Sequence, residues 1–257
     1  MEFLITLLTI FNSLLSPIGL VVDKTFTNAI IKNSHAVEEI QVRVENVPTH
    51  NFVKGKIDGV KIATRGWVLR ENLRLEVFEL ESDSLKFDFK RIRSLNAENW
   101  REIVQSPINL GIRTVVTEAD FNGFLQSPNV KSIIAERIPT NIPFDIDLDQ
   151  TRFEFQNGKI IINTEAESRG APGEVLNISL EFALEVQQGH KLRIIEPKGT
   201  FNGQPLSPPL LQGFVDNFNQ QLDLKRLENS GIVARLLQFE VKENNLTVVS
   251  LINIPKR

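Results

Sequence analysis

The chain has 257 residues, 41% of them hydrophobic, and its 29 Lys and Arg against 32 Asp and Glu leave a formal charge of −3. That size and composition can bury a sizeable core, as one elongated domain or two ordinary ones, while the near-neutral balance and the lack of a basic–aromatic RNA signature argue against a nucleic-acid partner. Cysteine and tyrosine are absent and phenylalanine reaches 17, which removes disulfides, thiolate metal sites and thiol catalysis and makes the aromatic content almost wholly apolar.

Residues 1–22, MEFLITLLTIFNSLLSPIGLVV, are apolar enough for a signal peptide or a membrane helix. The Met1-Glu2 start has no basic flank, and no A-x-A-like cleavage site follows. Asn12, Ser13, Ser16, Pro17 and Gly19 interrupt a clean span, whereas Thr6, Thr9, Ser13 and Ser16 form a polar stripe at helical spacing. The segment therefore reads as a separate helix that lies on or anchors to a membrane, or else packs on the protein. It places the protein peripherally or N-terminally anchored at a membrane, with the side left open. Residues 23–257 form one further domain, in which the order of helices and strands hints at two related halves.

Residues 20–33 read as a helix with Val22, Phe26, Ala29 and Ile30 inward. Strands dominate after it. EIQVRVEN (39–46) alternates Ile40, Val42 and Val44 against polar residues, and KGKIDGVKIATRGW (54–67) is a pair of strand-like runs with three glycines. LRLEVFELE (73–81) and LKFDFKRI (85–92) continue the alternation, with a phase change at Val77-Phe78 of the kind a bulge makes. A short helix is expected around Trp100, Ile103 and Val104, before Pro107. Thr117 is placed to cap a helix over TEADFNGFL, with Asp120 at the capping-box position and Phe121, Phe124 and Leu125 on its apolar face.

FDIDLD (144–149) and RFEF (152–155) read as two further strands, and Asn157-Gly158 as a type I′ hairpin turn into KIIIN. LNISLEFALEV follows, with Leu176, Ile178, Leu180, Phe182, Leu184 and Val186 alternating without a break. It turns at Gln188-Gly189 into KLRII. Pro208 opens a helix whose Leu211, Phe214, Val215, Phe218 and Leu222 share one face. GIVARLLQFEV and NLTVVSLINI close the chain, joined through Glu243–Asn245. The sum is α+β: about ten mostly antiparallel strands with two or three long amphipathic helices, and no βαβ alternation.

Catalytic and metal constellations are not found. Asp145, Asp147 and Asp149 open like a calcium loop, but its sixth and twelfth positions hold Gln150 and Gln156, so a solvated strand face is the simpler reading. His35, His50 and His190 make no ligand-spaced pair, and no G-x-S-x-G elbow or phosphate-binding glycine loop is present. No cofactor, no metal and no catalytic residue is expected. Two basic groups stand out instead: Lys54, Lys56, Lys61 and Arg65, then Lys90, Arg91 and Arg93. They read as solvated strand edges or as a landing surface for anionic lipid headgroups.

The run VENVPTHNFVKGKIDGVKIATRGWVL (44–69) resembles the LmeA family of phospholipid-binding proteins through Asn46, Pro48, Gly55, Lys56, Asp58, Val60, Ile62, Arg65 and Gly66. VVTEADFNGFLQSP (115–128) is similar to the family's second recurring stretch, and the likeness in element order runs from about Val21 to Ile254. The resemblance implies a tubular lipid-binding (TULIP) fold: an elongated, strongly curved antiparallel sheet wrapping one or two long amphipathic helices around an apolar cavity. It also implies non-enzymatic binding or transfer of phospholipid or another acyl-chain lipid at a membrane surface. The wall of such a cavity is expected from the alternating face at 176–186, from Leu211, Phe214, Val215 and Phe218, and from Phe121, Phe124 and Leu125. An acyl chain of about sixteen carbons gains on the order of 12 kcal/mol on leaving water, so only a nearly all-apolar wall competes for it. The rival reading is a protein-interaction adaptor with a fully packed core; oligomeric state stays open in both.

Overall fold

The computed structural model describes residues 27–28, 30–45, 55–88, 104–136, 138, 142, 144–170 and 173–256. The apolar helix expected at 1–22 lies outside the described residues, as do Asn46, Pro48, Lys54, Lys90, Arg91, Arg93, Trp100 and Ile103. Thr27, Asn28 and residues 30–32 are helical, and Ile30 is buried, as its place in the apolar pattern requires.

In chain order the strands are β1 (Glu39–Glu45), β2 (Lys56–Ile57), β3 (Gly59–Arg70), β4 (Leu73–Ser82), β5 (Leu85–Lys86) and β6 (Ile108–Thr117). Two helices follow, α1 (Glu118–Leu125) and α2 (Pro128–Ala135). Then come β7 (Phe144–Gln156), β8 (Lys159–Ser168), β9 (Val175–Gln187), β10 (Lys191–Phe201) and β11 (Gln204–Pro205). Helix α3 (Pro208–Gln221), a 3-10 turn (Leu224–Ser230), β12 (Val233–Lys242) and β13 (Asn245–Ile254) complete the chain. The strands form a six-stranded sheet in the order β1-β3-β4-β6-β13-β12, a five-stranded sheet β11-β10-β9-β8-β7, and the pair β2-β5. This is a mostly antiparallel α+β architecture with few helices.

The chain forms two compact units: Met1–Thr114, Lys225–Arg235 and Val249–Arg257 make unit 1, and Val115–Leu224 with Leu236–Val248 make unit 2. Trp67 and Phe78, both fully buried, centre the core of unit 1 with rings 5.0 Å apart. The Trp67 indole N–H donates to Ser34 Oγ at 2.6 Å, and that hydroxyl donates to the Ile30 carbonyl, so the buried polar edge of the ring has a partner.

The phase change read at Val77-Phe78 is present, since burial passes from Leu75 to Phe78, Leu80 and Ser82. No residue is inserted there: Arg65↔Val77 and Trp67↔Leu75 keep one register, and the shift between β3 and β4 falls between Val68 and Arg70. Strand β3 switches faces at the same level, from Val60, Ile62 and Thr64 to Trp67 and Leu69. Gly66, at φ 55°, is the residue that turns it, and Glu38 lies where its Cβ would stand. Two adjacent strands thus exchange inside for outside without losing their ladder.

Other expectations change in detail. FDIDLD and RFEF are one strand, β7, broken by a bulge between Asp147 and Arg152. The Asp147 carboxylate, exposed as expected, accepts the Asp149 and Gln150 amides at 2.8 and 3.3 Å and so helps to build this bulge. The 157–158 turn takes its positive φ from Gly158 alone (82°), not from both residues as type I′ demands, whereas Gln188 and Gly189 are both left-handed (51° and 68°). Val104 bridges Phe87 and is not helical. Helix α2 was not expected: its apolar side chains are Val130, Ile133, Ile134 and Ala135, and its first turn has Pro128 but no side-chain cap bond. Among the described residues one helix is long, α3 with 14 residues; α1 and α2 have eight each.

Candidate functional site

Unit 2 brings most of the expected wall together. In the β7–β8–β9 ladder Phe155↔Ile160↔Phe182 and Phe153↔Ile162↔Leu180 are cross-strand neighbours. Period-two alternation sends all six side chains to one face. Phe155, Ile160, Ile162, Phe182, Ile194, Val215, Val241 and Leu246 form its buried cluster, and Phe121, Phe153, Leu180, Leu184, Phe214, Phe218, Phe239 and Val248 pack around it, partly buried. A second cluster, Ala166, Leu176 and Ile178 with Phe144, Leu180 and Phe201, continues the same face toward the start of β9.

Two aromatic groups mark the sides of this face. Phe182 lies 6.1 Å from Phe214 and 5.8 Å from Phe218, ring to ring, and Phe121 lies 5.2 and 5.4 Å from Phe153 and Phe155. Of the other expected wall residues, Val186, Leu211, Phe124 and Leu125 are half-buried and stand outside the main cluster.

The helices are held by polar bonds to the two edges of the five-stranded sheet. On α1, Thr117 caps the first turn by accepting the Asp120 amide at 3.1 Å, and its hydroxyl donates to the Asp120 carboxylate at 2.7 Å. Asn122 then accepts the Phe153 N–H at 2.8 Å and donates to the Phe153 carbonyl at 2.7 Å, while Glu118 accepts the Phe155 N–H at 2.7 Å. Gln126 donates to the Leu148 and Thr151 carbonyls. The outer side of β7, an edge strand, is thereby closed by side chains instead of a further strand. On the β10 side, Asn219 of α3 accepts the Ile194 N–H at 2.8 Å, and the Leu222 carbonyl accepts the Leu192 N–H at 3.0 Å. Glu118, Asn122, Gln126 and Asn219 escaped sequence reasoning because polar residues on a helix read as solvent-facing; only the pairing of distant segments shows their task.

Helix α3 is well placed and poorly covered. Val215 is its one buried residue, while Leu211, Phe214 and Phe218 share its stripe and are partly buried; Leu210 is 57% exposed. Helix α1 has no buried residue.

Of the expected basic contacts Lys56, Lys61 and Arg65 are among the described residues; they lie in unit 1, and the register explains their surroundings. Lys61 stands directly opposite Glu81, with Glu45 diagonal to it, and its ammonium is 2.9 and 3.4 Å from the two carboxylates. Hydrogen bonds first to Glu81 and then to Glu45 hold its pKa above the ordinary lysine value. Arg65 faces Glu39 at 3.6 Å, and Lys56 lies 2.6 Å from Asp58.

The acidic strand residues are paired likewise: Asp145 with Arg169 at 2.6 Å, which lowers the Asp145 pKa, and Asp149 with Lys131. Among the described residues no group of three His, Cys, Asp or Glu could hold a metal, and no helix is long and apolar enough to cross a membrane. His190 is buried, with Nδ1 3.0 Å from Asp223 Oδ1 and Nε2 3.2 Å from Gln188 Oε1. Both ring nitrogens are occupied in fastening the β9–β10 turn.

The profile of the LmeA-like phospholipid-binding family matches residues 15–250. The chain belongs to this family. No individual characterised protein and no solved structure matches it. The LmeA-like family is one of phospholipid-binding proteins rather than of enzymes, so membership assigns lipid binding to this chain. Both stretches that carried the resemblance have a structural reading within the described residues: Gly66 turns β3 between its two faces, and the α1 segment closes the β7 edge.

Proposed function

We propose that this protein holds a phospholipid by its acyl chains against the apolar face of unit 2, along the uncovered side of the α3 stripe beside the strand wall at 176–186, and carries or presents it at a membrane surface without chemical change. One observation carries the reading: α3 leaves Leu211, Phe214 and Phe218 only partly buried beside a sheet whose own Phe182 and Ile178 are buried. A helix that only completed a protein core would bury that whole stripe. A flexible acyl guest supplies the missing cover, at about 0.8 kcal/mol for each methylene removed from water. In this reading the sheet and helix wrap the chain in the tubular manner of the TULIP fold, with the lipid filling the cavity.

Native mass spectrometry of the purified protein, followed by solvent extraction, tests this. A stoichiometric adduct of phospholipid mass is expected. A bare mass that stays unchanged after incubation with mixed phospholipids would overturn the reading and favour the adaptor with a packed core.

A further inference from the structure

The two units differ sharply in charge. Unit 1 carries 20 Lys and Arg against 15 Asp and Glu, and unit 2 carries 9 against 17, so a chain of −3 is built from parts of +5 and −8. Asymmetry of that size points the basic part toward an anionic partner.

Within unit 1 the feature that stands out is the small β2–β5 pair. Ile57 and Leu85 are directly opposed and both fully buried, so the alternating positions, Lys56 and Lys86, are opposed on the outer face. Like charges facing each other across an antiparallel pair, with Cβ atoms about 5 Å apart, destabilise it. Asp58 relieves one of them, at 2.6 Å from Lys56; Lys86 has no ion pair among the described residues. The backbone beneath is fixed: the Phe87 N–H donates to the Gly55 carbonyl at 2.7 Å and the Gln105 N–H to the Lys86 carbonyl at 2.8 Å. Lys61, held between two carboxylates, has less to offer an external anion than Lys86.

We propose that the opposed Lys56–Lys86 pair is the point at which unit 1 docks on the phosphate headgroups of an anionic bilayer. The inference rests on the lipid-binding reading above and adds to it which unit meets the membrane. A phosphate beside the pair offsets the remaining repulsion and gives Lys86 the charge-assisted contact that Asp58 already gives Lys56. The anionic surface as a whole is the complement of a +5 unit, and the −8 unit is repelled by it.

The test is flotation of the full chain with vesicles of phosphatidylcholine alone, or of phosphatidylcholine with phosphatidylglycerol, at low and high salt. The unaltered protein is expected to float with the anionic vesicles and to release in salt. Lys86→Gln should bind them about fivefold more weakly and Lys86→Glu about thirtyfold, one and two charges respectively. Lys256→Glu, the same charge change at another exposed lysine of unit 1, should stay within about twofold of the unaltered protein. Because Lys86→Glu places opposite charges across β2–β5, it should melt no lower than the parent while losing the membrane. If Lys86→Glu floats as well as Lys256→Glu, the docking assignment is wrong. The lipid adduct is scored separately: its presence in Lys86→Glu keeps the acyl site intact, and its absence from the unaltered protein refutes that site without touching the vesicle result.

Discussion

Asn122 is the residue on which the attachment of α1 turns. Its amide satisfies both backbone groups of Phe153 at once, and its neighbour Glu118 takes the Phe155 N–H. Truncation in Asn122→Ala leaves a half-buried donor and acceptor without partners, a loss of about 1–3 kcal/mol. Asn122→Asp keeps the acceptor and loses the donor, so it should fall between. Urea unfolding reads the cost, and hydrogen exchange at the Phe153 amide reads the place. An unchanged exchange rate in Asn122→Ala would mean that the edge of β7 is protected by something other than this side chain. Nothing in TEADFNGFL announces the task. The spacing shows a capped helix, whereas the edge strand that Asn122 serves lies 31 residues further along the chain.

At the scale of elements, wall and core are distinguishable by what truncation does. Phe182, at 1% exposure, sits among protein neighbours on every side, and Phe182→Ala should cost about 3–5 kcal/mol. Phe214 touches the same ring from α3 but is only partly buried, so Phe214→Ala should cost about 1–2 kcal/mol, in proportion to the area it hides. The lipid adduct should show the reverse order of sensitivity per unit of stability lost, since Phe214 has its free side toward the guest. Equal costs with an undiminished adduct would make α3 an ordinary core helix. Strands of this length were legible because alternation is a local signal: β4, β9, β12 and β13 begin and end within a few residues of the expected bounds, while β8 runs on past the expected KIIIN to Ser168. The bulge that joins 144–149 to 152–155 was not, because it depends on β8 as a partner. Helix α2 was missed because its eight residues make no full apolar face, although Ser127 and Pro128 stand at its start. The pairings of Lys61 with Glu81 and of Lys56 with Lys86 were invisible for the same reason as the bulge, since register is a property of two strands.

For the molecule as a whole, the path of the chain constrains how it folds. The division between the units falls inside β6, β12 and β13, so neither unit is one continuous piece of sequence. Unit 2 owes part of its main cluster to 236–248: Val241 and Leu246 are buried in it, and Phe239 and Val248 pack against it. The same segment supplies the Val241 carbonyl to the Gly158 N–H and the Asn244 N–H to the Phe155 carbonyl. A fragment of residues 115–224 has the five-stranded sheet and helices α1, α2 and α3, yet it lacks those four apolar side chains and both bonds. Losing two buried aliphatic side chains alone removes on the order of 4–6 kcal/mol, comparable with the whole stability of a domain. The 115–224 fragment is therefore expected to lack a cooperative melt and a fixed near-ultraviolet signal, while 115–248, which restores the cluster, melts cooperatively and takes up phospholipid. Circular dichroism melts of the two fragments, with native mass spectrometry of the longer one, decide it. A cooperative 115–224 would show that the apolar face closes without the terminal hairpin, and the partly buried stripe of α3 would then need no guest beyond what that sheet already holds.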